Sequence, residues 1–168
     1  MLHGRKSRGA GGDGLLGVKQ RVLILCTGNS ARSQMVEGLL RAIAGERVEV
    51  FSAGSKPSRV NPFAIQAMAK RGIDISGQRS KHLSEYLDQP FNFVITVCDQ
   101  AAKTCPIFPG RAQRIHWSFP DPAAAQGSDA EILAAFEQVR DDLEARLRVW
   151  LAELFRSALK NESLKAIE

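Results

Sequence analysis

The sequence is poor in cysteine, with three in 168 residues, and it has no long apolar run. A small, odd number of cysteines does not form a disulfide framework, so we expect a reducing compartment, the cytoplasm. Since no apolar run approaches the roughly 20 residues that cross a bilayer, we expect no membrane partner. The net charge of +5 is modest and lies partly in the first 21 residues, so nucleic acid is not expected as a partner.

Internal repeats, a second domain and metal-ligand spacing are also missing. No pair of cysteines or histidines has the short spacing of a structural zinc site, so no metal site is predicted. Residues 1–20 are rich in glycine and basic residues and lack an apolar period, which predicts a disordered N-terminal leader. We therefore expect one folded domain over residues 21–158 and a polar C-terminal tail over 159–168.

Strand-like and helix-like segments alternate along the rest of the chain. Apolar runs and alternating patterns predict four strands, over residues 21–26, 48–53, 93–97 and 113–117. Apolar spacings of three and four, with capping residues, predict helices over 33–44, 61–70, 80–87 and from 128 onward. This order predicts an α/β fold with a parallel sheet of four strands and helices on both faces. Such sheets bind ligands outside the carboxyl ends of their strands.

The segment after the first predicted strand is the most informative chemically, and it reads Cys-Thr-Gly-Asn-Ser-Ala-Arg-Ser over residues 26–33. Because Gly28 and Asn29 tolerate a positive φ, the loop can curl so that successive backbone N–H groups point inward. The following helix adds its unpaired N–H groups and the positive end of its dipole. Arg32 can grip two oxygens of an anion, and the same field favours the thiolate of Cys26. We therefore expect a nucleophilic Cys26 facing an oxyanion held by Thr27, Gly28, Asn29, Ser30, Ala31, Arg32 and Ser33.

Several of these residues also have plainer interpretations. Cys26 could be a buried cysteine beside an ordinary strand-turn-helix corner. We interpret Asn29 as structural, because asparagine accepts the left-handed conformation that other residues resist. Ser33 could donate a hydrogen bond to the thiolate or cap the helix, and the sequence does not decide between these roles.

Four further segments accompany this loop. They are Phe51-Ser52-Ala53-Gly54, Gly72-Ile73-Asp74-Ile75-Ser76, the run over residues 97–106 that contains Cys98 and Cys105, and His116-Trp117-Ser118-Phe119-Pro120-Asp121-Pro122. Together with the loop they resemble the thioredoxin-coupled arsenate reductases, which share the low-molecular-weight phosphotyrosine phosphatase fold. The resemblance covers residues 21–150 and implies a three-layer sandwich around a four-stranded parallel sheet. The loop alone specifies the superfamily, whereas the two later cysteines are specific to the reductase branch.

The resemblance implies reduction of arsenate to arsenite, a reaction of arsenic detoxification. Cys26 attacks arsenic while protonated Asp121 gives a proton to the departing oxygen, and Arg32 with the loop amides holds the remaining charge. Cys98 then attacks the sulfur of Cys26 and expels arsenite. Cys105 resolves the Cys26–Cys98 disulfide into Cys98–Cys105, which frees Cys26.

The resemblance also implies the partners of the reaction. Thioredoxin reduces the final disulfide with electrons from NADPH through thioredoxin reductase, and glutaredoxin or glutathione is the alternative reductant. No bound cofactor is expected, and the chain is expected to act as a monomer. Phosphate and sulfate are expected to bind as analogues of arsenate.

The spacing of the last two cysteines implies a movement. Seven residues of helix span about 10.5 Å, whereas the Cα atoms of a disulfide lie within roughly 7 Å. If the segment 99–104 is helical in the reduced protein, it must unwind when Cys98 pairs with Cys105.

The sequence departs from the family at two places. Ala31 stands where many members have a fourth, nonessential cysteine. Some members hold potassium beneath the loop through oxygen ligands, and here Arg79 and Lys81 bring positive charge to the aligned segment. Although Asn29, Glu37 and Ser52 still match, we expect a basic side chain in place of the ion.

Two other functions remain open on the sequence. A low-molecular-weight protein tyrosine phosphatase would use Cys26, Arg32 and Asp121 to hydrolyse a phosphomonoester through a phosphocysteine, but the segment after Asp121 lacks the tyrosines that those enzymes usually carry there. A non-catalytic module that binds oxyanions or senses arsenic is the third interpretation. Taken singly, Asp121 could merely open a turn and Cys98 could merely pack in the core.

Overall fold

The computed structural model describes residues 19–98 and 107–166. The predictions for leader residues 1–18, for Cys105 and for the segment 99–104 lie outside these residues. The strands are β1 (Gln20–Cys26), β2 (Val48–Gly54), β3 (Phe93–Thr96) and β4 (Gln113–His116). The α-helices are α1 (Arg32–Ala44), α2 (Pro62–Lys70) and α3 (Asp129–Lys165), and short 3₁₀ helices lie at Gly45–Arg47, Leu83–Tyr86 and Pro122–Ala124.

The four strands form one parallel sheet in the order β2-β1-β3-β4. The strand order reverses beside β1, because β2 lies on one side of it and β3 on the other. At the carboxyl edge, Cys26 is the partner of Gly54, and Leu25 is the partner of Thr96. Ligand sites of α/β sheets lie at such a reversal. The predicted α/β class is confirmed, and the loop after Cys26 starts at that edge.

Alternate residues of β1 point into two separate cores, as the two-residue period of a strand requires. Val22 and Ile24 lie in the larger core, which α1, α2 and α3 cover. Leu23 and Leu25 lie in a smaller core on the opposite face, with Tyr86 from the second 3₁₀ helix. The sheet is therefore the middle of three layers. The α-helices of the described residues all pack on its first face, so the helices predicted on both faces are matched on the second face by the 3₁₀ helix Leu83–Tyr86 and by loop residues.

The ends of the helices follow the capping predictions. Asn61 Oδ1 accepts the N–H of Phe63 at 2.9 Å, and Ser128 Oγ accepts the N–H of Glu131 at 3.2 Å. Gly45 ends α1 with a φ of 57°. By contrast, α1 begins without a side-chain cap, so its first N–H groups remain available to a ligand.

Most predicted boundaries differ from the structure by one residue, and β1 begins at Gln20, within the predicted leader, but two segments differ by more. The helix predicted over 80–87 is a 3₁₀ helix confined to Leu83–Tyr86, because the carbonyl of Lys81 accepts the N–H of Gly54 at 2.9 Å instead of an N–H from the next helical turn. The helix α3 continues to Lys165, into the segment predicted as a tail. In the part of the chain that the structure describes, no helix has both the length and the hydropathy that a bilayer span requires.

Gly54, the last residue of β2, lies against the backbone where β1 ends. A Cβ atom at this position would meet the carbonyl oxygen of Thr27, the carbonyl oxygen of Cys26 at 2.8 Å and the amide nitrogen of Asn29 at 3.0 Å. Backbone atoms cannot turn aside as the end of a flexible side chain can. The close approach of β2 to the start of the loop therefore requires glycine.

Gly54→Ala should lower the free energy of unfolding by roughly 1–3 kcal/mol, the usual cost of overpacking. Urea unfolding followed by circular dichroism measures this change. Gly77→Ala is the matched control, because a Cβ at Gly77 meets nothing within 4 Å. Equal stability of the two variants would contradict the close approach.

Candidate active site

Cys26 stands at the carboxyl edge of the sheet, at the end of β1, and it is only 3% exposed. The loop over residues 27–31 then leads directly into α1, which begins at Arg32. Asn29 has a φ of 45°, the left-handed conformation predicted for a structural asparagine. Strand, loop and helix thus stand in the order that the sequence predicted.

A neighbouring segment over residues 56–61, here called the collar, holds three carbonyl groups of the loop. The collar follows β2 and runs along the outside of the loop. Its backbone N–H groups donate to the loop carbonyls from that side. These bonds run from Lys56 to Thr27 at 2.9 Å, from Ser58 to Gly28 at 3.2 Å and from Asn61 to Ser30 at 2.9 Å.

Two side chains complete these outer hydrogen bonds. Gln34, which is buried in the first turn of α1, donates from Nε2 to the Asn29 carbonyl at 3.0 Å. Ser80 donates from Oγ to the Gly28 carbonyl at 3.0 Å, as a second bond to that oxygen. Every loop carbonyl over residues 27–30 is therefore held by a group outside the loop.

The outer hydrogen bonds determine where the loop N–H groups point. All peptide bonds of the described residues are trans, and in a trans peptide the C=O and N–H point in opposite directions. The N–H groups of residues 28–31 therefore point into the interior of the loop. The uncapped start of α1, with no acidic residue in its first turn, adds donors and a positive dipole end. This interior is suited to a tetrahedral oxyanion.

Within the described residues, the Cys26 thiol is hydrogen-bonded to Ser33. Ser33 Oγ lies 2.9 Å from Cys26 Sγ, and Asn29 Nδ2 donates to the same Ser33 oxygen at 2.8 Å. Because that oxygen already accepts from Asn29, its own proton is free to point at the sulfur and to stabilise a thiolate. The structure therefore decides the open question on Ser33, which contacts the sulfur and does not cap α1.

Beneath the loop, a buried polar chain continues from Asn29. Asn29 Nδ2 also donates to Ser52 Oγ at 3.0 Å, and Ser52 donates to Glu37 Oε2 at 3.1 Å. The Lys81 ammonium lies 3.5 Å from Ser52 Oγ and donates to the Arg79 carbonyl at 2.7 Å. Burial lowers the pKa of Lys81, and the nearby Glu37 carboxylate acts in the opposite direction.

These residues do not fit a potassium site. A potassium ion needs oxygen ligands around it, whereas the Lys81 ammonium already brings a positive charge to Ser52 and to the Arg79 carbonyl. The Arg79 side chain pairs instead with Glu85 on the surface, at 2.6 Å. Of the two basic side chains named in the sequence, Lys81 is the one beneath the loop.

Arg32 and Asp121 meet on the open side of the loop. Arg32 Nη1 donates to the Phe119 carbonyl at 2.9 Å, and Arg32 Nη2 lies 4.0 Å from Asp121 Oδ2. The other carboxylate oxygen, Oδ1, accepts the N–H of Ala123 at 3.0 Å. The Arg32 side chain is 11% exposed and the Asp121 side chain 45% exposed, so the acid is open to solvent and to a ligand.

Cys98 brings a second thiol to the same edge of the sheet. It lies two residues beyond β3, is fully buried and belongs to the same apolar core as Cys26. Just before it, the N–H of Val97 donates to the Leu25 carbonyl at 3.0 Å, which joins the ends of β3 and β1. The two cysteines therefore leave neighbouring strands side by side.

The sequence did not indicate the groups that hold the loop from outside. The collar acts through backbone N–H groups, which any residue but proline supplies, so its side chains carry no signal. Gln34 and Ser80 are ordinary polar residues of a helix and a turn. The residues around Ser80 indicated a helix and a positive charge, and nothing in the sequence indicated a role for the Ser80 hydroxyl.

Comparison with known proteins agrees with this geometry. The family model of the low molecular weight phosphotyrosine protein phosphatases matches residues 21–162. An arsenate reductase of Halalkalibacterium halodurans is 44% identical over 132 residues, which are 79% of this chain and 95% of that protein. A solved arsenate reductase in its phosphate-binding state has a TM-score of 0.67 at 32% identity, over 80% of this chain and 98% of that one. A thioredoxin-dependent arsenate reductase of Corynebacterium glutamicum has a TM-score of 0.62 at 27% identity, over 85% of this chain and 63% of that one.

The similarity spans the sheet, the loop and the region around Asp121, and the family match alone covers more than half of the chain. The chain therefore belongs to the low molecular weight phosphotyrosine protein phosphatase family, within its arsenate reductase branch.

Proposed function

We propose that this protein reduces arsenate to arsenite, with Cys26 as the nucleophile and a relay of thiols as the source of electrons. The observation that carries the proposal is the loop whose inward N–H groups share one interior with the buried Cys26 thiol. Such an arrangement holds a tetrahedral oxyanion against a sulfur atom. Cys98 at the same edge favours reduction over phosphate hydrolysis, because hydrolysis needs no second thiol.

In the first step the Cys26 thiolate attacks arsenic, an S–As bond forms, and one arsenate oxygen leaves as water. Asp121 supplies the proton for that oxygen. Oδ1 of Asp121 accepts the N–H of Ala123, so Oδ2, the oxygen nearer Arg32, is the one left to deliver this proton. Arg32 and the loop N–H groups hold the charge on the other oxygens.

In the second step Cys98 attacks the sulfur of Cys26. An S–S bond forms, the S–As bond breaks, and its electron pair stays on arsenic, which leaves as arsenite. Cys105 then attacks the sulfur of Cys98 and releases the Cys26 thiolate. Arsenic gains two electrons and the Cys98–Cys105 pair loses two, so the cycle balances once an external dithiol restores that pair.

The external reductant in this proposal is thioredoxin, supplied with electrons by NADPH through thioredoxin reductase. A solved relative is itself thioredoxin-dependent, which supports this choice over glutaredoxin or glutathione. We place the reaction in the cytoplasm, where thiols are kept reduced. No bound cofactor enters the cycle, and in this proposal the chain acts as a monomer.

Arsenate-dependent oxidation of NADPH, coupled to thioredoxin and thioredoxin reductase, tests the proposal. Wild-type protein should turn over, and Cys26→Ser should have no rate above the enzyme-free background, because a serine oxygen cannot pass electrons through a disulfide. A residual rate in Cys26→Ser would remove Cys26 from the mechanism. Hydrolysis of para-nitrophenyl phosphate, measured in parallel, separates the phosphatase alternative, which predicts ester hydrolysis without arsenate turnover.

Mapping of disulfides after one turnover without thioredoxin tests the relay. Wild-type protein should accumulate Cys98–Cys105, and Cys105→Ser should stop at Cys26–Cys98. Tandem mass spectrometry of peptides under acid quench identifies the pairs. A terminal Cys26–Cys98 pair in wild-type protein, with Cys105 still reduced, would contradict the relay and favour release by glutathione.

Asp121→Asn should slow the first chemical step by about 10²–10⁴-fold, the usual contribution of a positioned general acid. The amide oxygen can still accept the N–H of Ala123, so the turn is kept while the transferable proton is lost. Rapid-quench measurement of single-turnover arsenate reduction reports the step. Asp129→Asn, at the exposed start of α3, is the matched control, and an unchanged rate in Asp121→Asn would leave Asp121 as a turn residue.

A further inference from the structure

One of the outer hydrogen bonds comes from a side chain far away in the sequence. The collar acts through its backbone, and Gln34 belongs to the helix that the loop itself begins. Ser80, in contrast, stands 52 residues from Gly28 along the chain, and its hydroxyl donates to the Gly28 carbonyl at 3.0 Å. Ser80 therefore stabilises the loop from a distant part of the sequence, and a single substitution can remove this hydrogen bond.

Ser80 Oγ joins three segments at one point. Besides donating to Gly28, it accepts the N–H of Ser58 in the collar at 3.0 Å, and that N–H also reaches the Gly28 carbonyl at 3.2 Å. Hydrogen bonds thus link the loop, the collar and the segment 79–81 at the Gly28 carbonyl. A side chain without a hydroxyl at this position would remove both bonds of Ser80.

The residues on both sides of Ser80 keep it in place. The N–H of Lys81 donates to Asn29 Oδ1 at 2.8 Å, and its carbonyl accepts the N–H of Gly54 at 2.9 Å. The Arg79 carbonyl accepts from Gln34 Nε2 at 3.0 Å. Because the backbone of the segment 79–81 is anchored by these groups, loss of the Ser80 hydroxyl should affect the Gly28 carbonyl without displacing the segment.

The hydrogen bonds to the Gly28 carbonyl affect the shape of the loop, because the backbone dihedrals of a glycine are less restricted by its own structure than those of other residues. The orientation of the peptide between Gly28 and Asn29 therefore depends on what its carbonyl binds. With the carbonyl held outward, the N–H of that peptide points into the interior of the loop. Turned the other way, the same peptide would present an oxygen to a bound oxyanion and repel it.

We propose that Ser80 is a positioning residue for oxyanion binding, which acts by holding the Gly28 carbonyl outside the loop. This inference rests on the proposed function only as far as the binding of arsenate or phosphate by the loop, and not on the thiol relay. Ser80 does not touch the oxyanion or the reacting atoms.

The affinity of the loop for inorganic phosphate is the primary test. Phosphate bound in the loop should protect Cys26 from iodoacetamide, and the alkylation of the peptide that contains Cys26, followed by mass spectrometry against phosphate concentration, gives Kd. Ser80→Ala should weaken phosphate binding on the order of 3- to 10-fold, the loss expected for one net hydrogen bond. Ser163→Ala is the matched control, because Ser163 Oγ also donates to a backbone carbonyl, at 3.1 Å, near the far end of α3.

Ser80→Thr and Ser80→Val separate the hydroxyl from the shape of the side chain. The two side chains have nearly the same volume, and only threonine can donate to Gly28. Threonine should restore phosphate affinity to near the wild-type value and valine should not. This pair keeps the test valid if Ser80→Ala lowers stability, since circular dichroism and urea unfolding compare the two β-branched variants directly.

Steady-state kinetics give a readout that a general loss of stability would not produce. Since the bond holds the loop in the ground state and the transition state alike, Ser80→Val should raise KM for arsenate with little change in kcat. Equal phosphate affinity in wild type and Ser80→Val, or equal weakening in Ser80→Thr and Ser80→Val, would overturn the role of Ser80. If phosphate fails to protect Cys26 in wild-type protein, the proposed oxyanion site fails and this inference fails with it.

Discussion

The site depends on one constraint, the common orientation of the peptide groups in the loop after Cys26. Nothing within the loop itself favours an orientation in which four carbonyl groups point outward. A carbonyl oxygen that pointed inward would repel a bound anion. The collar, Gln34 and Ser80 impose the orientation before any ligand arrives. The donors are therefore already in place, and binding does not have to supply the free energy of ordering them.

The interior beneath the loop is organised by the same residue that shapes its backbone. Asn29 takes the left-handed conformation, and its side chain donates to Ser33 and to Ser52. Through Ser33 this amide is linked to the thiol, and through Ser52 it is linked to the buried carboxylate of Glu37. The shape of the loop, the contact with the Cys26 thiol and the buried charge of Glu37 are thus linked by hydrogen bonds, so a change in one of them alters the other two.

The sequence was sufficient for features that are local, and insufficient for those built across the fold. The strands, the capped helices and the order of Cys26, the loop and Arg32 followed from patterns that a few neighbouring residues carry, whereas the place of Asp121 followed from the family resemblance. The collar could not be predicted, because backbone donors leave no trace in residue type. The segment near Lys81 was predicted to be helical, but its carbonyl accepts the N–H of Gly54, which is distant in sequence. The contact of Ser33 with the thiol could not be predicted, because a serine after such a loop suits a cap and a thiol contact equally well.

The groups that hold the loop come from segments that are distant in sequence, the collar after β2 and the residues 79–81. The loop interior therefore exists only when β1, β2 and the segment before the second 3₁₀ helix are assembled together. An oxyanion binds this assembled state and not the unfolded chain, so by mass action it raises the folding equilibrium of the whole domain. When the free anion is present at 100 times its Kd, binding raises the free energy of unfolding by about 2.7 kcal/mol. The substrate and its common analogue phosphate thus act as folding ligands, and the amount of intact protein is linked to the oxyanion concentration around it.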